Sequence, residues 1–231
     1  MESHDLGLPR YEVKMVCAEI YLPDVRSWVR WHPDAFAEAY PPRRVNNLYF
    51  DTYEADCVSD NLVGVSERAK VRLRWYGTDH SAVRGMLELK HKLNQVGWKE
   101  RCPVPETLDL TTISWAELRQ CLVGYAEGIL SVWLAHADQP VLINSYTREY
   151  YESADRQVRL TVDSDQVVYA QVTYTAPNLL SRSVVESQIV IEVKAGVALH
   201  RRVSNVLSSF PLRTERHSKY VSGVLDSLSF L

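Results

Sequence analysis

The stretch Ala69-Lys70-Val71-Arg72-Leu73-Arg74-Trp75-Tyr76 decides how the fold is read. Successive side chains of a β-strand point to opposite faces, so Val71, Leu73 and Trp75 share one face while Arg72 and Arg74 project together from the other. Two guanidiniums aimed at one point make an anion grip. The same division into an apolar and a charged face recurs along the chain, and the repetition needs a cause.

Upstream, residues 10–17 (RYEVKMVC) set Glu12 and Lys14 against Tyr11, Val13 and Met15, and residues 45–51 (VNNLYFD) set Asn47, Tyr49 and Asp51 against Leu48 and Phe50. Downstream, Gly77-Thr78-Asp79 marks a turn, and residues 86–92 return with Glu88, Lys90 and Lys92 aligned opposite Leu87 and Leu89. Asn94-Gln95-Val96-Gly97 reads as a hairpin turn into residues 98–104, where Lys99 and Arg101 share a face. Strands resume over 141–151, with Tyr146, Arg148 and Tyr150 on one face. They continue over 158–163, with Arg159, Thr161 and Asp163 together, and then over 167–173. The last strand, 186–194, carries Glu192 and Lys194 opposite Ile189, Ile191 and Val193.

Helical spacing fills the intervals. Pro23 suits the first turn of a helix bearing Val25, Trp28, Val29 and His32. Asp51-Thr52 can cap a short helix reaching Leu62. Between 108 and 137, Ser114 caps a helix with Trp115, Leu118 and Leu122, and a second helix holds Ile129, Val132 and Trp133. After a polar connector at 178–183, Leu199, Val203, Val206, Leu207 and Phe210 mark one amphipathic helix, and Val221, Val224, Leu225 and Leu228 a terminal one.

Composition narrows the class. With 231 residues, 46% hydrophobic and 24% charged, the chain suits one globular domain over 1–231. A net charge of −3 argues against a surface built for duplex nucleic acid, so any basic face is local. Cys17, Cys57, Cys102 and Cys121 show no CxxC spacing, which points to reduced thiols in the cytoplasm. Residues 1–9 read as a frayed tail, and the most apolar helical window, 121–137, is too short to span a bilayer. The chain is expected to enter no membrane directly. There is no GxSxG elbow, no P-loop and no HExxH.

Collected from the polar faces, the basic set is Lys14, Arg72, Arg74, Lys90, Lys92, Lys99, Arg101, Arg148, Arg159 and Lys194, and it outnumbers Glu12, Glu88, Asp163 and Glu192. An antiparallel sheet normally has one wet face, so alternation alone leaves open whether this face lies inside or outside. Arg216-His217-Ser218-Lys219 adds a lysine at a helix start, where it opposes the helix dipole unless an anion sits between them.

These residues resemble the VTC domain, the polyphosphate polymerase domain of the vacuolar transporter chaperone complex, within the CYTH or triphosphate tunnel metalloenzyme superfamily. The blocks that carry the resemblance are RYEVK, NNLYFDT, KVRLRWYG, LELKHK with WKER, SYTREYY with VRLTVDSD, VIEVK and ERHSKYVSGV, in family order over nearly the whole chain. Arg10 stands where the superfamily's first-strand signature has a glutamate, which resembles the VTC branch rather than the thiamine-triphosphatase or adenylyl-cyclase branches and speaks against a two-metal hydrolase.

The resemblance implies an α+β fold: a closed antiparallel β-barrel, the triphosphate tunnel, with helices packed outside and the C-terminal helix at the tunnel. It implies that Lys14, Arg72, Arg74, Lys90, Arg148 and Lys219 grip phosphates, with Lys99, Arg101, Tyr146 and Ser218 assisting. Lys194 and Arg159 belong to the same basic set. Glu192, with Glu12, would bind Mn²⁺ or Mg²⁺. ATP and inorganic polyphosphate or pyrophosphate are the implied substrates. The alternatives are an inorganic or nucleoside triphosphatase and a non-enzymatic polyphosphate or nucleotide sensor. The chain is expected to lack the phosphate-sensing and transmembrane domains of the eukaryotic complex, which leaves either role open to an unidentified membrane or sensor partner.

Overall fold

The computed structural model describes residues 10–93, 96–183, 187–210 and 217–228. The expected tail at 1–9, Asn94-Gln95 of the hairpin turn, Glu186 and Arg216 lie outside the described residues. The class is α+β. The eight strands are β1 (Arg10–Ala18), β2 (Ala37–Asp51), β3 (Glu67–Tyr76), β4 (Val83–Leu93), β5 (Val96–Leu108), β6 (Gln139–Glu152), β7 (Val158–Ala170) and β8 (Gln188–Gly196). The helices described are α1 (Leu22–Trp31), α2 (Asp56–Val63), α3 (Trp115–Tyr125), α4 (Gly128–His136), α5 (His200–Ser208) and α6 (Lys219–Leu228).

The chain divides into two compact units. The first draws on the chain through Arg43, on Tyr146–Gln166 and on the stretch ending at His217; the second takes Arg44–Ser145 and the stretches from Val167 and from Ser218.

In the first unit β8 lies between two antiparallel partners. It pairs with β1 in a register that sets Lys14 opposite Glu192 and Glu12 opposite Lys194. It pairs with β7 so that Thr161 faces Glu192 and Arg159 faces Lys194. The other face of these strands is apolar: Met15, Leu160, Val162, Ile189, Ile191 and Val193 pack with Val25 and Val29 of α1 and Val203 and Val206 of α5. Pro23 sits in the first turn of α1, as its fixed φ favours.

In the second unit β2, β3, β4 and β5 form a continuous antiparallel run. Val71, Leu73 and Trp75 of β3 and Leu87 and Leu89 of β4 are buried with Leu118 and Leu122 of α3 and Leu130 and Leu134 of α4. Each such side chain contributes about 2 kcal/mol of transfer free energy, so this layer is what holds the run against its helices. Ser114 closes a full capping box with Glu117 at the start of α3.

Four local expectations are corrected. In α4 the buried positions are Leu130 and Leu134, while Ile129 and Val132 are exposed. Leu225 of α6 is likewise exposed, and Tyr220 is buried instead. The helix near Asp51 starts five residues later, at Asp56; Asp51 Oδ1 still accepts from the Cys57 N–H at 2.9 Å and Thr52 Oγ1 from the Asp56 N–H at 3.1 Å. The segments 158–163 and 167–173 belong to one strand that ends at Ala170.

Candidate functional site: buried basic strand faces

Part of the charged strand faces is buried. Arg72 and Arg74 are 9% and 8% exposed, Glu88 3%, Glu192 6% and Asp163 0%. A solvated outer face would leave such groups in water, so the bland account of the alternation fails for these residues.

In the second unit the ladder register orders this face into rows. One row is Asn47, Arg74 and Met86; the next is Tyr49, Arg72, Glu88 and Arg101; the third is Lys70, Lys90 and Lys99. Glu88 is the carboxylate at the centre. Arg72 Nε donates to its Oε2 at 2.8 Å and Arg72 Nη2 donates to the same oxygen. Arg101 Nε donates to Oε1 at 3.2 Å, and Arg74 Nη1 stands 3.8 Å away. Burial pushes the Glu88 carboxyl up, but Arg72, Arg74 and Lys99 outweigh it and hold the group well below the usual carboxylate range. Like charges placed opposite one another across a ladder repel, so an anion above the lysine row would relieve it.

The start of α6 belongs to the same unit. Lys70 Nζ donates to Ser218 Oγ at 2.9 Å and lies 5.1 Å from the Tyr220 ring centroid. Lys219 is the first residue of the helix.

In the first unit Arg148 forms a fork with Asp163, Nε to Oδ1 at 2.6 Å and Nη2 to Oδ2 at 2.7 Å, and reaches Glu192 Oε2 at 3.8 Å. Its guanidinium lies 5.3 Å from the Tyr146 ring centroid. Lys14 stands 3.5 Å from both Glu12 and Glu192 and donates to the His217 carbonyl at 3.1 Å. Lys194 contacts Glu192 at 2.6 Å and Glu12 at 3.8 Å. Burial works to raise the Glu192 carboxyl; Lys194, Lys14, the hydrogen bond with Glu12 and Arg148 together carry it well below its ordinary value. Arg159, opposite Lys194 in the ladder, is drawn to Glu152 at 2.9 Å and is 41% exposed at its side chain.

Glu12 and Glu192 converge on the same two lysines, and two carboxylates are the usual protein share of a Mg²⁺ or Mn²⁺ site whose remaining ligands are water and phosphate oxygens. Among the described residues no cluster of three or more His, Cys, Asp or Glu stands together. The pair therefore fits a cation delivered with phosphate better than one held by protein alone.

Lys70, Tyr49, Asn47, Asn144 and Tyr220 join these clusters without having been singled out from the sequence as site residues. Lys70 had a signal, since it shares the parity of Arg72 and Arg74. The others depend on partners distant in the chain, such as Asn47 and Asn144, 97 positions apart.

Fold and clusters together define an α+β protein whose strands bury basic polar faces. The family model for the VTC domain matches residues 9–227, and the chain belongs to that family. Placement in the CYTH-like superfamily is consistent with this match. No curated protein sequence matches the chain. Among solved structures, a Vibrio parahaemolyticus protein provisionally designated an adenylate cyclase superposes with a TM-score of 0.49 at 9% identity, covering 93% of this chain and 97% of that one. The Schizosaccharomyces pombe Mediator head module gives 0.49 at 10% identity, covering 90% of this chain and 98% of that one. Neither likeness bears on the chemistry.

Proposed function

We propose that the chain is a polyphosphate polymerase that transfers the γ-phosphate of ATP to the end of a growing polyphosphate. The observation that carries this reading is the burial of Arg72 and Arg74, with Arg148 13% exposed at its side chain, on strand faces of a VTC-family chain.

Phosphoryl transfer needs in-line positioning and stabilised charge more than covalent help from the protein. Arg72, Arg74, Lys90 and Arg148 hold the triphosphate, with Lys99, Arg101, Tyr146 and Ser218 supporting it. An oxygen of the chain's terminal phosphate attacks the γ-phosphorus, the bond from that phosphorus to the β–γ bridging oxygen breaks, and ADP leaves with the electron pair. Lys14 and Lys219 offset charge where the two phosphates meet, and Lys194 keeps Glu192 ionised. Glu192 and Glu12 would hold Mn²⁺ or Mg²⁺, which when bound neutralises phosphate charge. The described residues include no helix long and apolar enough to cross a membrane. Action on cytoplasmic ATP, with a membrane or sensor partner, completes the proposal.

The test is incubation of the purified chain with ATP, Mn²⁺ and pyrophosphate as primer, with products resolved on a polyphosphate-stained gel. A ladder matched by ADP release is expected. Free phosphate without a ladder would replace this reading with a triphosphatase, and binding of labelled triphosphate without turnover would replace it with a sensor.

A further inference from the structure

Arg74 fixes the direction of a buried chain of amides. A guanidinium can only donate. The Asn47 atom that accepts from Arg74 Nε at 2.8 Å is therefore its oxygen, and Asn47 turns its NH₂ group to Asn144, whose Oδ1 accepts at 2.8 Å. Asn144 is left presenting Nδ2. That atom is buried, in a residue 2% exposed, and has no hydrogen-bond partner.

An unmet buried donor costs about 1–3 kcal/mol, and such groups are uncommon in folded chains. The neighbouring residues show that the defect is local. Arg44 Nε donates to Ser145 Oγ at 2.6 Å, Ser145 donates to Asn46 Oδ1 at 2.5 Å, and Asn46 Nδ2 donates to the Gly77 carbonyl at 2.8 Å. That relay, one residue along each strand, is satisfied to its end. The relay that starts at Arg74, on the basic face, ends in an open N–H.

We infer that Asn144 is a substrate-contacting residue, donating from Nδ2 to a non-bridging oxygen of the polyphosphate beside the phosphate held by Arg74, with Asn47 as its positioning residue. The inference rests on the reading that this face binds polyphosphate. Because the open group offers only N–H, it suits an acceptor-only anionic oxygen rather than a nucleobase edge, which alternates donors and acceptors. A hydrogen bond to a charged oxygen in a buried setting is stronger than one between neutral groups.

The experiment titrates inorganic tripolyphosphate, in EDTA, into the wild-type chain and Asn144→Leu by calorimetry. In parallel it follows the Asn144 side-chain amide of ¹⁵N-labelled wild-type protein by NMR. Affinity is expected to fall roughly tenfold to a hundredfold in Asn144→Leu, and the Nδ2 protons are expected to move downfield at saturation. Unchanged affinity in a folded Asn144→Leu, or an unmoved Nδ2 signal on saturation, overturns the inference while the site stands. Failure of the wild-type chain to bind tripolyphosphate overturns both. The NMR arm uses unaltered protein, so it decides the matter even if Asn144→Leu does not fold.

Discussion

Glu88 sets the charge balance of the second unit's basic face, because it accepts from both Arg72 and Arg101 while standing 3.8 Å from Arg74. In the free protein it shields guanidiniums from one another; with a polyanion bound it competes with the ligand. Glu88→Gln is therefore expected to lower stability by about 1–3 kcal/mol yet tighten tripolyphosphate binding several-fold, checked by thermal melts and calorimetry. Its carboxyl is held below its ordinary value in the fold. It thus contributes stability above its unfolded pKa of about 4.3, and that stability is lost as pH falls toward the folded value. Melts between about pH 6 and pH 3 should show a shallower acid decline in Glu88→Gln than in wild type. Glu192 divides the two halves of the proposed activity differently. Glu192→Gln should abolish Mn²⁺-dependent ladder formation, whereas chelation of metal should stop turnover in the wild type and leave tripolyphosphate binding measurable.

At the scale of elements, α6 is pinned by a buried carboxylate. Asp51 Oδ1 accepts from the Thr52 and Cys57 N–H groups at 2.8 and 2.9 Å, and Asp51 also accepts from the Tyr220 hydroxyl. Burial, together with that carboxylate, pushes the Tyr220 phenol far up, so it stays a donor. Tyr220→Phe leaves a buried acceptor short of a partner and should cost about 1–3 kcal/mol, seen as roughly 2–4 °C of Tm per kcal/mol. Gly223, one turn on, sets a second limit. A Cβ there would meet Leu142 Cδ2 at 2.7 Å and Val168 at 3.4 Å. Overpacking of about 1–3 kcal/mol exceeds the helix-propensity gain of about 1 kcal/mol, so Gly223→Ala should melt lower than wild type. Alternation in β3, β4 and β8 was legible because those strands keep strict period two beside turn residues. The first part of β2 was not, since Pro41 and Pro42 speak against a strand. Nor could spacing place Tyr220 on Asp51, 169 positions away. Lys70 was a missed inference, because its parity with Arg72 and Arg74 was in plain sight.

The whole molecule carries a net charge of −3, yet its most buried cations gather on strand faces. A polyanion must cross the field of an acidic surface to reach them, so salt acts in two directions: screening weakens attraction at the site and lifts repulsion on approach. The VTC match spans segments of both units, and each unit is assembled from separated parts of the chain. Sequence spacing could reveal the basic faces but not their burial, since burial depends on what covers a strand rather than on its alternation. The most direct measurement is calorimetric titration of tripolyphosphate into the wild-type chain and an Arg72→Ala, Arg74→Ala double variant at two salt concentrations. The account predicts saturable, salt-weakened binding by the wild type and none by the double variant. Equal binding by both, or none by the folded wild type, would contradict it.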